Sequence, residues 1–138
     1  MNLTISGSLD PDYFAYIDVF VFNTETYEVC KGIKAIIDTG AQDCLVKQSL
    51  AAKLGLQPVD RFKALNPEGG IVESDCYKIG LILDTENFMD TSKYAVLKMG
   101  TLEEEAFPAD MILGGTFLRH CRFIYDGPGR EFEVQAVL

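Results

Sequence analysis

The sequence predicts an all-β protein, a barrel or sandwich of seven or more short strands with one or two short helices. Three observations favour this fold class. Short runs of β-branched and aromatic residues are separated by turn residues throughout the chain. Helical spacing of apolar residues is evident over one stretch only. Strands do not alternate with long helices, which argues against a doubly wound parallel sheet.

A length of 138 residues fits one domain with one hydrophobic core. The chain begins with a polar segment, residues 1–12, that contains Gly7 and the step Asp10–Pro11. This composition predicts a loop, and we assign residues 1–15 to an N-terminal arm. The segment lacks a basic region followed by an apolar one, so we expect no signal peptide.

The next two elements form a predicted β-hairpin. Residues 16–22 are mostly apolar and β-branched or aromatic, and a turn cluster follows at residues 23–26. The return strand covers residues 27–37, is interrupted near Gly32 and ends in the apolar triplet at residues 35–37. Two such runs on either side of polar turn residues are typical of a hairpin.

Helical spacing follows at residues 47–54, where apolar residues recur at intervals of three and four. Gly55 then supplies a residue that commonly ends a helix in the left-handed conformation. A second short helix is predicted at residues 116–120. Both helices are too short to form a layer of their own.

The second half of the chain predicts further strands. Residues 59–65 and 71–84 lie on either side of the string Asn66-Pro67-Glu68-Gly69-Gly70, which combines proline with two glycines and predicts a hairpin tip. Residues 94–99 predict another strand. At the end of the chain, residues 131–137 alternate apolar and polar side chains, the pattern of a half-buried strand.

The charge balance excludes some classes of partner. Acidic residues number 21 and basic residues 12, which gives a net charge of −9. Phosphate backbones and anionic lipid surfaces repel such a chain, so we expect neither nucleic acid nor a membrane as partner. The sequence also contains no apolar run approaching the roughly 20 residues that span a bilayer.

The four cysteines lie 14, 32 and 45 residues apart along the chain. This spacing fits neither a zinc site nor a disulfide-dense secreted module. We expect reduced, mostly buried thiols and a cytoplasmic protein.

The most informative segment is residues 35–41, where Asp38 directly follows an apolar strand. Burying a carboxylate is costly unless it is hydrogen-bonded, paired or protonated. Gly40 lets the backbone bring an N–H close to the carboxylate, Thr39 offers a hydroxyl, and Ala41 leaves room beside the acid. Taken alone, the tripeptide favours an ordinary turn capped by an aspartate, because Asp, Thr and Gly are common turn residues.

Asp38-Thr39-Gly40-Ala41 belongs to an ordered series of motifs. The helix ending in Leu-Gly-Leu at residues 54–56 follows it, then the glycine-rich tip at residues 66–70. Gly114, which lies 76 residues after Asp38, belongs to the string Met-Ile-Leu-Gly-Gly-Thr-Phe-Leu. In these motifs the chain resembles the retropepsin-like aspartic proteases over roughly residues 16–135. It is most similar to the DNA-damage-inducible retropepsins and their bacterial relatives, in which glutamine follows the alanine, as Gln42 does here.

The resemblance implies a single retropepsin-like domain over residues 1–138, folded as a closed barrel. It implies that Asp38 is the catalytic aspartate, that Thr39 crosses a dimer axis to bond its twin, and that the Gly40 amide steadies the carboxylate. Ala41 and the flap tip are then expected to contact the substrate, the tip comprising Asn66, Pro67, Glu68, Gly69 and Gly70.

Two departures from the family pattern are visible. Retroviral enzymes pair an acid with an arginine at the positions that Gln42 and Gly115 occupy here. Both members of the pair are missing together, so neither charge is left without its partner. The flap tip is also atypical, because Pro67 and Glu68 precede its two glycines.

Peptide hydrolysis by this chemistry needs two carboxylates that share one proton, one acting as base on a water and the other as acid. The chain has a single Asp-Thr-Gly, so it supplies half a site. We therefore expect a homodimer with two-fold symmetry, acting on a peptide or protein substrate without metal or cofactor. The terminal hairpin is expected to contribute to the dimer interface.

Other functions have less support. A non-catalytic module of the same fold, binding an extended peptide or only dimerising, stays open as the alternative. A Cys–His hydrolase using Cys44 or Cys121 is disfavoured, because the single histidine, His120, adjoins Cys121 and neighbouring side chains on a strand face opposite ways. Glu103-Glu104-Glu105 lacks the spacing of a calcium loop, and the glycine-rich strings lack phosphate-binding patterns.

Overall fold

A computed structural model describes residues 2–65, 68–87 and 94–137. These residues form ten strands, two short α-helices and one 3-10 turn. In chain order the elements are β1 (Asn2–Ser8), β2 (Tyr16–Phe22), β3 (Val29–Ile37), β4 (Leu45–Lys47), α1 (Gln48–Lys53), β5 (Pro58–Leu65), β6 (Ile71–Ile82), the turn Thr85–Asn87, β7 (Tyr94–Leu102), β8 (Met111–Leu113), α2 (Gly115–Leu118), β9 (Cys121–Asp126) and β10 (Glu131–Val137).

Six strands form a closed barrel in the order β2-β3-β8-β4-β7-β6, and pairing of β6 with β2 closes it. Strand β5 lies outside the barrel and forms a hairpin with the first half of β6. The pairs β3–β8 and β4–β7 are parallel, whereas the other barrel pairs are antiparallel. The predicted all-β class with a closed barrel and short helices is confirmed.

Side chains at alternate positions along the strands fill the interior of the barrel and form the core. On β2, Ile17, Val19 and Val21 are buried, whereas Asp18 between them is exposed. Because successive strand residues face opposite sides, one apolar set from each strand reaches the interior. The largest fully buried side chains include Leu54, Ile79, Leu81, Met99, Met111, Leu113 and Phe117.

Strands β1, β10 and β9 form a separate antiparallel sheet, which we call the terminal sheet. The expectation of a loop over residues 1–12 is wrong for Asn2–Ser8, which pair along their whole length with β10. Gly7 is not a turn residue here. A β-carbon on it would lie 2.8 Å from the ring of Phe132, so glycine permits the ring to pack against β1.

The terminal sheet has one apolar and one polar face. Phe132, Val134 and Ala136 on β10 are buried and pack with the barrel core, as the predicted alternation requires. The opposite face carries Glu131, Glu133 and Gln135. The sheet therefore covers one part of the barrel and presents its polar face to solvent.

The helices lie close to their predicted positions. Helix α1 starts at Gln48, one residue later than expected, and Gly55 follows it with a φ of 67°. Helix α2 starts at Gly115, one residue before the predicted span. Within the described ranges no helix is long and apolar enough to cross a membrane. All four cysteines are free, with Cys121 half-buried and the other three buried.

Candidate active site

Asp38 follows the last residue of β3, at the point where that strand leaves the barrel wall. β3 runs parallel to β8, with Ile37 opposite Leu113. The Asp38 N–H donates to the carbonyl oxygen of Leu113 at 3.0 Å, so the pairing continues one residue beyond the strand. Because β3 and β8 each pair with a strand on both sides in the barrel, the backbone of Asp38 continues from a rigid element.

The carboxylate of Asp38 is oriented by its own loop. The Gly40 N–H donates to Asp38 Oδ1 at 2.9 Å, and the Ala41 N–H donates to the Asp38 carbonyl at 3.3 Å. Asp38 is half-buried, whereas Thr39 and Gly40 are exposed. Among the described residues, no lysine, arginine or histidine forms an ion pair with Asp38. The carboxylate therefore faces outward with a backbone donor fixing one oxygen.

The connection between β8 and α2 is hydrogen-bonded to this loop. Gly115 donates its N–H to the Ala41 carbonyl at 2.8 Å, and Thr116 donates to the Gln42 carbonyl at 3.0 Å. A β-carbon on Gly115 would lie 2.9 Å from the Gln42 carbonyl oxygen. Two backbone hydrogen bonds thus join the segments that an acid–arginine pair joins in retroviral enzymes, and Gly115 has no room for a side chain.

Two thiols lie beneath this connection. Cys44 is fully buried and its Sγ lies 3.2 Å from Thr116 Oγ1. Burial raises the pKa of the Cys121 thiol to about 11. His120 Nε2 lies 3.3 Å from Nε of Arg119, rather than against either thiol. A buried thiol and an un-ionised one do not make a nucleophile, so the Cys–His alternative loses its support.

An aromatic cleft opens beside Asp38 and Thr39. Its lining combines the N-terminal loop, the loop before β8 and strand β9. The aromatic side chains in it are Tyr13, Phe14, Tyr16, Phe107, Phe123 and Tyr125. Tyr13, Phe14 and Tyr125 are each about half exposed, at 46%, 50% and 50%. A concentration of exposed aromatic area of this kind is typical of interaction surfaces.

The N-terminal side of the cleft is held by hydrogen bonds. Tyr125 Oη donates to the Tyr13 carbonyl at 2.8 Å, and the Arg130 guanidinium stacks over the Tyr13 ring at 4.4 Å. Asp10 accepts the Phe14 N–H at 2.8 Å through Oδ1. Tyr13 has a φ of 67°, a conformation that these contacts stabilise against its backbone cost.

The opposite side of the cleft is the loop of residues 103–110, which contributes Phe107 and Pro108. Glu105 accepts two hydrogen bonds from Ser49 at the start of α1, from the backbone N–H at 3.0 Å and from Oγ at 2.7 Å. The hydroxyl donor and then the backbone donor lower the pKa of Glu105. Lys47 Nζ donates to the Phe107 carbonyl at 2.6 Å.

A second pocket lies on the other side of the Asp-Thr-Gly loop. It is lined by residues 39–42 together with Gly115, Thr116 and Arg119. Arg119 was not among the residues predicted from the sequence. Its position four residues after Gly115, one helical turn further along, is the signal that would have placed it on this pocket.

The predicted flap corresponds to the β5–β6 hairpin. Glu68, Gly69 and Gly70 lie exposed at its tip, and Gly69 has a φ of 85° that favours glycine. The predicted flap residues Asn66 and Pro67 lie outside the described residues. Across the hairpin, Arg61 pairs with Asp75 at 2.8 Å.

No metal-ligand cluster was found among the described residues: they contain no group of three or more His, Cys, Asp and Glu side chains arranged to hold a metal ion. The structure brings Asp38, Thr39, Gly40 and Ala41 together in one loop, in which Thr39 and Gly40 are exposed and Asp38 and Ala41 are half-buried. Glu68, Gly69 and Gly70 lie separately, at the tip of the β5–β6 hairpin.

Comparison with known proteins supports the fold. No protein-family model matches the sequence, and no curated protein does. The chain is similar to the crystal structure of a retropepsin-like aspartic protease from Rickettsia conorii, with a TM-score of 0.63 and 19% identity over 99% of this chain and 92% of that one. It also matches the retroviral protease-like domain of Ddi1 from Leishmania major, with a TM-score of 0.49 and 15% identity over 83% and 82% of the two chains. The chain has the retropepsin-like fold.

Proposed function

We propose that this protein is an aspartic endopeptidase whose active unit is a homodimer. The observation that carries the proposal is the Asp38 loop, in which an outward-facing carboxylate is fixed by the Gly40 N–H at 2.9 Å. Backbone hydrogen bonds from Gly115 and Thr116 brace the same loop. A carboxylate held this rigidly at the mouth of a cleft suits general acid–base chemistry.

The chemistry requires a second carboxylate. With two Asp38 side chains facing each other, like-charge repulsion keeps one protonated while the other stays ionised. The ionised carboxylate takes a proton from a water that attacks the peptide carbonyl carbon, and the protonated carboxyl donates its proton to the carbonyl oxygen. In the collapse of the tetrahedral intermediate the C–N bond breaks, the first carboxyl gives its proton to the leaving nitrogen, and the second carboxylate takes a proton back from a hydroxyl of the intermediate.

Residues around the loop supply the remaining roles. The exposed Thr39 would meet its copy across the two-fold axis. Ala41, with the tip residues Glu68, Gly69 and Gly70, would contact the peptide backbone. The aromatic cleft would receive apolar side chains of the substrate, because aromatic walls favour apolar groups.

The test is cleavage of a diverse peptide mixture, followed by mass spectrometry, with and without a statine-type transition-state mimic. Asp38→Asn keeps the shape of the side chain and removes its acid–base function, so cleavage should fall by several orders of magnitude while the fold persists. Asp18→Asn, an exposed carboxylate on β2, is the matched control and should cleave normally. Full activity of Asp38→Asn would disprove the assignment.

The aromatic cleft and the projecting β5–β6 hairpin also fit a non-catalytic function, the binding of an extended peptide. In that case a dimer would bind peptides from the same mixture and release them intact. Wild-type protein and Asp38→Asn would then give the same binding and no cleavage.

A further inference from the structure

The second pocket beside the Asp-Thr-Gly loop differs in character from the aromatic cleft, and we call it the Arg119 pocket. Its volume is about 460 Å³, within the range of small-ligand sites. Small residues and the polar side chains of Thr39, Gln42 and Thr116 form most of its lining. Among the described residues that line it, Arg119 alone carries a charge.

Arg119 has no anionic partner among the residues that the structure describes. Its side chain is exposed and forms no ion pair with any of their carboxylates. Other cations of the chain are paired, as Arg61 is with Asp75 at 2.8 Å. Because the net charge is −9, acidic residues are plentiful in this protein. The pocket nevertheless presents a cation without a counter-charge.

A hydrogen bond to the neighbouring histidine orients the guanidinium. Nε of Arg119 donates to Nε2 of His120 at 3.3 Å. This bond leaves the N–H groups of the two terminal nitrogens available, and their spacing matches the two oxygens of a carboxylate. Gln42, which is exposed in the same lining, offers an amide N–H as a further donor.

The backbone of Arg119 is tied to the catalytic loop by successive hydrogen bonds. The Arg119 N–H donates to the Gly115 carbonyl at 2.9 Å, and the Gly115 N–H donates to the Ala41 carbonyl at 2.8 Å. The Ala41 N–H in turn donates to the Asp38 carbonyl at 3.3 Å. The start of the Arg119 side chain therefore has a fixed position relative to Asp38.

The Arg119 pocket adjoins the aromatic cleft. Thr39 lines both cavities, and Asp38 lies beside it in the cleft. The Cα atoms of Thr39 and Gln42 are at most about 11 Å apart, because three steps of about 3.8 Å separate them. An extended peptide covers that distance with three or four residues at about 3.3 Å each. A peptide bond held at Asp38 thus brings a residue within about four positions to this pocket.

We propose that the Arg119 pocket binds an acidic side chain of the substrate. The preferred substrates are then peptides with Asp or Glu within about four residues of the scissile bond and a large apolar residue in the aromatic cleft. The proposal rests on the proposed function for the position of the scissile bond, and it adds the charge of the substrate. Arg119 is a specificity-determining residue in this scheme and takes no part in the proton transfers.

An acidic side chain suits the pocket better than a basic or an apolar one. A basic side chain would meet the charge of Arg119, and an apolar one would displace water from polar groups without replacing its hydrogen bonds. A carboxylate accepts charge-assisted hydrogen bonds from Arg119 and a further one from Gln42. Since the protein as a whole repels anions, any preference for an acid must come from this local cation.

The first test measures binding to the full chain carrying Asp38→Asn, which keeps bound peptides intact. The probes are fluorescent decapeptides with a central Phe–Phe pair and a single Glu moved through the four positions on either side, each with a Gln and a Lys counterpart. At one position the Glu peptide should bind roughly fivefold more tightly than its Gln counterpart, as expected for a partly exposed charged pair. The preference should fall in 1 M salt, where the Debye length is about 3 Å.

Charge reversal assigns the preference to one side chain. In the Asp38→Asn background, Arg119→Glu should reverse the order, so that the Lys peptide binds more tightly than the Glu peptide at the same position. Arg119→Lys should retain part of the preference, because it keeps the charge and loses the paired donors. The control is Lys53→Glu, an exposed residue at the end of α1 that changes the net charge equally and should keep the preference for Glu.

Several results would overturn the proposal. They are equal binding of the Glu and Gln peptides at every position, a Glu preference that survives Arg119→Glu, and an absence of binding to the whole set. Arg119→Glu that weakens self-association in sedimentation without changing the peptide preference would show that a second copy fills the pocket, which also overturns it.

The proposal and the protease function fail separately. A wild-type chain that cleaves peptides with no acidic residue enriched near the cut would remove the acid preference and leave the protease. Binding of acidic peptides that depends on Arg119, in a chain whose wild type cleaves none of them, would leave the acid site in place and remove the protease function.

Discussion

Gly114 packs so closely against the carbonyl oxygen of Asp43 that a β-carbon on Gly114 would lie 2.4 Å from it. The same β-carbon would lie 2.6 Å from the Ala41 carbonyl oxygen. The φ of Gly114 is −102°, which any residue can adopt. Space alone therefore requires glycine here, and the close approach is what allows the two segments to share backbone hydrogen bonds.

We expect Gly114→Ala to displace the Asp38 loop and to lower the free energy of unfolding by about 1–3 kcal/mol, the usual cost of overpacking. Urea denaturation measures the change in the free energy of unfolding. The rate of peptide cleavage should also fall under conditions in which the variant stays folded, because the Asp38 loop is displaced. Gly127→Ala is the control, because its added β-carbon would meet only Tyr125 at an ordinary 3.5 Å. Equal, small effects of both substitutions would contradict the steric argument.

The contact between Glu105 and Ser49 should depend on pH. Donation from the Ser49 hydroxyl and N–H lowers the pKa of Glu105 from its ordinary 4.5. The folded carboxylate thus binds a proton less readily than the unfolded one, and its contribution to stability is complete above that ordinary value. It is lost as pH falls through the lower folded value.

The measurement is the unfolding free energy of wild type and Glu105→Gln between pH 7 and pH 3. The two proteins should differ at neutral pH and converge as the medium becomes acidic below 4.5. A difference that is constant over this range would show that the charge of Glu105 contributes nothing.

Lys47 should act on substrate binding through the loop of residues 103–110. Its ammonium donates to the Phe107 carbonyl at 2.6 Å, and Phe107 lines the aromatic cleft. Lys47→Met keeps the length of the side chain and removes the donor, so KM for peptides should rise several-fold while kcat changes little. Lys98→Met, which breaks an exposed pair with Asp60, should leave KM unchanged.

Cys121 should alkylate slowly. Burial raises its pKa to about 11, so its thiolate fraction near pH 8 is about a hundredfold or more below that of an ordinary cysteine. Iodoacetamide labelling with peptide mapping should show little modification of Cys121 in the native protein and rapid modification in urea. Rapid labelling of the native protein would contradict the burial of this thiol.

The sequence predicted the parts of the fold that local pattern determines. The hairpin of β2 and β3, helix α1 with Gly55 and the alternating strand β10 lie where their patterns place them. Strand β1 was missed because its apolar residues, Leu3 and Ile5, are few and half-buried. Its strand conformation depends on pairing with β10, more than 120 residues away in the chain.

The candidate site shows the same limit. Asp38 and its loop follow from a contiguous motif. Phe107, Arg119 and Tyr125 reach the site only through the barrel and the terminal sheet, and none of them carries a local signature of its role. Glycine at 114 was recognisable as part of a motif, but the carbonyl oxygens that exclude a side chain there are visible only in the folded chain.

The pairing of Asn2 with Val137 has a mechanical consequence. Asn2 and Val137 lie at the same end of the antiparallel pair of β1 and β10. Tension that pulls these two residues apart therefore breaks the hydrogen bonds between the strands one after another instead of loading them all together. The rupture would travel from Asn2 towards Ser8 while the barrel stays closed. A translocating unfoldase that grips this segment would therefore dismantle the terminal sheet first, before any strand of the barrel separates. The loop that holds Asp38 is hydrogen-bonded to barrel strand β8, so it would persist until the barrel itself opens.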